Sequence, residues 1–160
     1  MTDEASWTTP EAQAETRLDL LIRDMADVIA ARRRGLEMAL EMGFVIPEAT
    51  KIAVVISELA RNIVSYAGYG TITLIIQPGP EPTFKIVARD RGPGIPDVRL
   101  ALLEGYSTSG GPGKGLSGSK RLMDTFIVNS WVGFGTTVEA TKRLQHSAAS
   151  ATEVEGTSSE

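Results

Sequence analysis

Apolar and polar positions follow two different periods along this chain. Leu18, Leu20 and Ile22 occupy alternate positions, which predicts a short strand. Residues 26–42 are rich in helix formers and carry a helical apolar stripe, with Gly43 as the stop signal. The further predicted elements are a largely buried helix over 47–66 that ends near Gly68 and Gly70, strands over 71–77 and 83–89, short helices over 97–104 and 119–125, and strands over 126–131 and 136–142.

These elements predict an α/β two-layer sandwich, with helices on one face of a mixed, mostly antiparallel sheet. The segment 132–135, Val-Gly-Phe-Gly, is a hairpin signal between the last two strands, and Trp131 beside it is expected to pack in the sheet. Residues 1–17 and 145–160 lack an apolar period, so we expect flexible acidic tails around one domain over 18–144.

Composition narrows the chemistry that this domain can carry. With 42% apolar and 22% charged residues, the chain is typical of globular proteins. It has no Cys and one His, His146, which excludes thiolate catalysis, Cys-ligated metals and His-pair metal motifs. No apolar run nears the length of a membrane helix and the start lacks a secretion signal, so we expect a cytoplasmic protein.

The charge is unevenly distributed. The net charge is −4, but residues 1–22 and 145–160 together carry −7, whereas residues 23–144 carry +3. The acidity therefore belongs to the ends and the body is mildly basic, which suits an anionic ligand.

Two polar residues interrupt the apolar helix over 47–66. Glu58 and Asn62 are four positions apart and so share one helix face. They are either the polar rim of an amphipathic helix, or a carboxylate and an amide oxygen that project into a site. An amide oxygen is a suitable ligand for hydrated Mg²⁺.

Two glycine-rich segments are further candidates. Asp90 to Pro96, DRGPGIP, is either an ordinary turn or a strand end whose Asp accepts hydrogen bonds from a ligand amine. Residues 105–118 hold six glycines and read as a linker or as a ligand-ordered loop, whose hydroxyls, backbone N–H groups and Lys114 suit phosphate.

Generic nucleotide motifs do not account for this loop. A Walker A motif fails because Thr108 stands where its first Gly should be and Gly115 follows Lys114. The triplet Gly113, Gly115 and Gly118 matches G-x-G-x-x-G, but a polar glycine loop precedes it instead of the strand that a dinucleotide fold requires.

In their order along the chain, the candidate segments resemble a known family. ELARNI, DRGPGIP, GGPGKGL and GTTV are similar to the four nucleotide-binding boxes of the GHKL (Bergerat-fold) ATPases. Within that superfamily, SELARNIV, DRGPGIPD, GYSTSGG and GSKRLMDTF most resemble the RsbT-type serine/threonine switch kinases of the stressosome, which are related to anti-sigma factors. The resemblance covers about residues 18–144.

The resemblance implies a role for each matching residue. Glu58 would be the general base and Asn62 the Mg²⁺ ligand. Asp90 would hold the adenine amino group with help from Thr136, and Tyr66 is a further candidate for nucleotide contact. The remaining implied ATP-binding residues are Gly92, Gly94, Ser107, Thr108, Gly111, Gly113, Lys114, Gly115 and Leu116. Pro112 departs from the smaller or aliphatic residues of many relatives and would stiffen the lid.

The resemblance also implies a function. The chain would be an ATP- and Mg²⁺-dependent protein serine kinase that phosphorylates a STAS-domain antagonist (RsbS-like) and then activates a PP2C-type phosphatase (RsbU-like) in a bacterial stress pathway. The alternative is an anti-sigma factor that sequesters a sigma subunit, with ATP as a conformational ligand. Nucleic acid and membrane are not expected as partners.

Overall fold

A computed structural model describes residues 13–103 and 115–145 of the chain. Five strands and four α-helices make up this part, and a π-helical turn, Ile63–Ala67, extends the second helix. In chain order the elements are β1 (Thr16–Ile22), α1 (Met25–Met42), α2 (Ile46–Asn62), β2 (Gly70–Gln77), β3 (Thr83–Asp90), α3 (Val98–Ala101), α4 (Leu116–Leu122), β4 (Thr125–Trp131) and β5 (Gly135–Arg143).

The five strands form one sheet in the order β1-β2-β3-β5-β4. All four of these pairings are antiparallel. The register places Asp90, the last residue of β3, opposite Gly70 on β2 and opposite Thr136 on β5. The predicted two-layer α/β sandwich is confirmed, since α1 and α2 pack on the sheet and α4 packs on α2.

The alternation of residues in the strands decides which side chains meet the helices. Ile22, Ile72, Leu74, Phe84 and Ile86 are fully buried between the layers. The opposite face carries polar pairs, such as Lys85 Nζ and Glu139 Oε2 at 2.8 Å, and the hydrogen bond from Thr73 Oγ1 to Asp19 Oδ1 at 2.6 Å.

Local sequence signals account for the ends of the two long helices. The side chain of Asp24 accepts a hydrogen bond from Asp27 N at 2.9 Å and so caps α1. The predicted stop at Gly43 is confirmed, since this residue ends α1 in the left-handed conformation with φ of 111°. Pro47 stands in the first turn of α2, where its missing N–H costs nothing.

Two predictions are wrong: the bounds of the helix expected over 119–125 and the packing of Trp131 in the sheet. The helix expected over 119–125 is α4, which already begins at Leu116 and ends at Leu122. Burial of Leu116 in the core stabilises this start, although the glycine content favours a loop. Trp131 is 65% exposed, because its position in β4 faces away from the helical layer.

The helix expected over 97–104 is a single turn, Val98–Ala101, within the described residues. Most of the two predicted tails and of the glycine loop lies outside the described residues, so the domain bounds stay a prediction, although β1 begins at Thr16, inside the predicted N-terminal tail. Within residues 13–103 and 115–145, no helix combines the length and the apolar character that a bilayer crossing demands.

A buried lysine joins three elements at one end of the sheet. Lys142 on β5 is 7% exposed. Its Nζ lies 2.8 Å from Glu48 Oε2 on α2, and it donates to the carbonyl of Leu122 at 3.1 Å. The hydrogen bonds from Lys142 and Lys51 hold the pKa of Glu48 below its ordinary value.

This ion pair makes stability depend on pH. A carboxyl whose pKa is lower in the folded state stabilises the fold above its ordinary pKa, and the contribution is lost as the pH falls through the lower, folded value. We expect Glu48→Gln to reduce the free energy of unfolding by about 1–2 kcal/mol at pH 7, since the carboxylate is one third exposed and partly screened. The difference from wild type should shrink as the pH falls below about 4.5.

Urea unfolding of both proteins at several pH values measures this difference. Glu41→Gln is the matched control, because Glu41 is an exposed glutamate of α1. A Glu48→Gln difference that stays constant from pH 7 to pH 3 would contradict the assignment.

Candidate functional site

A cavity that opens to solvent lies between the end of α2 and the sheet. Asn62, Tyr66, Asp90, Gly94, Leu116 and Thr136 line it, and all six are residues that the sequence selects. Leu59, Ile63, Ala88, Ile95 and Val138 supply most of its apolar wall. An apolar pocket with a few convergent polar groups is the usual form of a small-molecule site.

The antiparallel register of β3 and β5 brings the two sheet residues of this cavity together. Asp90 and Thr136 are direct cross-strand partners, although 46 positions separate them in the sequence. Asp90 Oδ1 accepts a hydrogen bond from Gly92 N at 2.8 Å. The loop after β3 therefore holds the carboxylate in a defined orientation at the cavity wall.

Sequence reasoning missed Ser130, which links the loop after β3 to β4 and β5. Its Oγ accepts a hydrogen bond from Ile95 N at 2.8 Å and lies 2.8 Å from Thr136 Oγ1. The signal was available in the alternation of β4, because Ser130 is a polar residue in the same inward series as Phe126 and Val128.

The other end of the cavity is built on α2. Glu58 and Asn62 are half-buried and lie on adjacent turns of that helix, as predicted. The π-helical turn begins directly after Asn62 and carries Tyr66 to the cavity. Such turns are frequent at functional sites, because the extra residue redirects the side chains that follow.

Glu58 itself contacts two neighbours. Its Oε1 lies 2.5 Å from Arg61 Nη1. A Cβ built on Gly115 would lie 2.6 Å from Glu58 Oε2, so this carboxylate oxygen packs against the backbone of Gly115. The residue before α4 and the carboxylate of α2 thus adjoin each other at the edge of the site.

The loop after β3 is enclosed on two sides. A Cβ on Gly92 would lie 2.8 Å from Ala67 Cβ, and a Cβ on Gly94 would overlap the carbonyl oxygen of Trp131. Pro93 O accepts a hydrogen bond from Gly133 N at 2.9 Å. This loop is therefore held between the end of the π-helical turn and the hairpin of β4 and β5.

Some expected site residues cannot be placed. Ser107, Thr108, Gly111, Gly113 and Lys114 lie outside the described residues, as does Pro112. Their assignment to phosphate binding stays a prediction.

Comparison with known proteins identifies the family. Residues 48–146 match the model of the histidine kinase-, DNA gyrase B- and HSP90-like ATPases. The chain belongs to this ATPase family. As a member of it, the protein binds ATP.

Two curated relatives indicate the branch within this ATPase family. The chain is 49% identical to serine/threonine-protein kinase RsbT of Bacillus subtilis over 121 residues, which cover 74% of this chain and 90% of the relative. It is 32% identical to anti-sigma F factor of Geobacillus kaustophilus over 111 residues, covering 64% of this chain and 74% of the relative. The first relative confirms the predicted enzyme class, a serine/threonine-protein kinase, and the second fits the alternative.

Two glycines with similar positive φ provide a test of the site's geometry. Gly94 and Gly133 have φ of 77° and 83°. A Cβ on Gly133 meets nothing within 4 Å, whereas one on Gly94 meets the backbone of Trp131. We expect Gly133→Ala to cost about 1–2 kcal/mol of strain, and Gly94→Ala to cost about 1–3 kcal/mol more from overpacking.

Urea unfolding of the two variants measures the difference, and Gly133→Ala is the control for backbone strain alone. Equal destabilisation by the two substitutions would mean that the loop and the hairpin do not approach as closely as described.

Proposed function

We propose that this chain is a Mg²⁺- and ATP-dependent protein serine kinase whose active site is the cavity between α2 and the sheet. The observation that carries the proposal is the convergence of Asn62, Asp90 and Thr136 on one apolar cavity with Glu58 near it. The identity to a serine/threonine-protein kinase over most of the chain supports it.

The sheet end of the cavity suits a purine base. The Asp90 carboxylate would accept a hydrogen bond from the adenine amino group, and Thr136 offers a hydroxyl beside it. Ile95, Ala88 and Val138 provide apolar surface for the ring. Gly92 and Gly94 allow the backbone after β3 to come close to the nucleotide.

The α2 end suits a magnesium triphosphate. Among residues 13–103 and 115–145, no group of three or more His, Cys, Asp or Glu side chains could hold a metal ion. The Asn62 amide oxygen is the kind of single hard ligand that Mg²⁺ takes when phosphates and water complete its shell. Bound there with ATP, Mg²⁺ would neutralise phosphate charge.

Glu58 would act as the general base. In the proposed step its carboxylate takes the proton of the substrate serine, the serine oxygen bonds to the γ-phosphorus, and the bond from that phosphorus to the ADP oxygen breaks. Positioning and charge neutralisation supply most of the catalysis in such transfers, so one base is sufficient. Ser107, Thr108, Gly111, Gly113, Lys114, Gly115 and Leu116 are proposed to contact the phosphates.

The proposed substrate is a serine of a STAS-domain antagonist (RsbS-like), after whose phosphorylation the kinase would activate a PP2C-type phosphatase (RsbU-like). Similarity to RsbT supports this partner class. The reaction is proposed to take place in the cytoplasm.

Two substitutions distinguish ATP binding from phosphoryl transfer to the substrate serine. We expect Asp90→Asn to weaken ATP binding at least about 10-fold. The substitution replaces one acceptor oxygen of the carboxylate by an NH2 donor, and the adenine amino group is itself a donor. Glu58→Gln should keep the ATP affinity within about twofold and reduce phosphoserine formation by about 100-fold or more, since general-base catalysis is lost.

Equilibrium ATP titration with Mg²⁺, and transfer from γ-labelled ATP to the purified STAS-domain protein of the same organism, measure the two effects. Asp97→Asn is a control for a carboxylate at an exposed helix cap outside the cavity. Normal labelling by Glu58→Gln would remove Glu58 from its proposed role.

The anti-sigma alternative has its own support in the similarity to anti-sigma F factor. The same ATP site serves both functions, so the partner decides between them. Co-purification with STAS-domain proteins and sigma factors of the host distinguishes the two, and a sigma factor as the sole stoichiometric partner would favour the alternative.

A further inference from the structure

The two carboxylate oxygens of Glu58 have different contacts. Oε1 lies 2.5 Å from Arg61 Nη1, whereas Oε2 packs against the backbone at Gly115. The two contacts approach the carboxylate from different elements, one from the next turn of α2 and one from the residue that precedes α4. Together they restrict the side chain to one orientation.

Such restriction matters for a base. The Glu58 side chain is 33% exposed, and a long glutamate that is partly in water samples several rotamers when nothing holds it. A general base must lie within hydrogen-bond reach of the proton that it takes, and a displacement of about 1 Å can cost about 100-fold in rate.

We propose that Arg61 is a positioning residue for the general base: it anchors Oε1 of Glu58 so that Oε2 receives the serine proton. This inference rests on the proposed kinase function and deepens it. Arg61 acts through Glu58 and contacts neither the nucleotide nor the reacting atoms in this assignment. Gly115 lies close to Oε2, since a Cβ built there would come within 2.6 Å of that oxygen.

The same helix provides a matched control. Lys51 and Glu48 form another i,i+3 pair on α2, with Lys51 Nζ 2.7 Å from Glu48 Oε1. Lys51→Ala removes a cation from the same helix at the same spacing but away from the candidate site, since Glu48 adjoins Lys142 at the opposite end of the sheet from Asp90. It therefore reports on loss of a helix ion pair alone.

The test compares Arg61→Ala, Arg61→Lys and Lys51→Ala in transfer from γ-labelled ATP to the purified STAS-domain protein. We expect Arg61→Ala to lower kcat about 10- to 100-fold, while KM for the protein substrate and Kd for ATP stay within about twofold. Arg61→Lys should recover a large part of kcat, because an ammonium can still pair with Oε1. Lys51→Ala should match wild type.

A double substitution shows whether Arg61 acts through the base. In single-turnover assays, adding Arg61→Ala to Glu58→Gln should cause no further loss, because the group being positioned is already disabled. A further loss there would overturn the inference. It would also be overturned if Arg61→Ala kept kcat within twofold of wild type, or if its defect lay in KM or in ATP affinity.

Wild type and Glu58→Gln in the same assay distinguish a failure of this inference from a failure of the proposed function. If wild type forms no phosphoserine, the kinase function fails and the inference fails with it. If wild type is active, Glu58→Gln is inactive and Arg61→Ala is normal, the positioning role of Arg61 alone fails. Thermal unfolding of each variant checks that all of them are folded.

Discussion

The packing of α2 against the sheet is the constraint on which the rest of the structure depends. Its buried residues lie on the face toward α1, α4 and the sheet, and Ile52, Val55 and Ile56 are fully buried. Burial of this apolar face is favourable only in one rotation of the helix about its axis. That rotation also sets the positions of Glu58 and Asn62, the candidate base and the candidate Mg²⁺ ligand, which lie half-buried on the same helix.

The two ends of α2 have different surroundings. The start forms an ion pair that stabilises the fold, and the end lies beside the candidate site. Near its start, Glu48 is paired with the buried Lys142, so charge there ties the helix to β5. Near its end, an apolar cavity is open beside Asn62, and the π-helical turn begins. The packing is regular at one end, and the irregular turn at the other lies beside the cavity that could hold a ligand.

The sheet contributes to the cavity through cross-strand register rather than through any local motif. Asp90 ends β3 and faces Thr136 on β5, and Ser130 on β4 bonds both to the loop after β3 and to Thr136. A shift of the β3–β5 pairing by one residue would turn Thr136 away from the helical layer, because successive side chains of a strand point to opposite faces of the sheet. The hydrogen bonds of Ser130 thus align three chain segments that lie far apart in sequence.

By itself, the sequence determined the strand that contains Leu18, Leu20 and Ile22, the end of α1 at Gly43, the two-layer class and, through its four ordered motifs, the ATPase family. Those features depend on local periods, caps and residue types, which single segments express. Only the tertiary structure decided that Trp131 faces solvent, that α4 begins at Leu116, that Ser130 joins the site and that Arg61 holds Glu58. Each of these depends on which distant segment lies beside the residue, and local propensity carries no information about that neighbour.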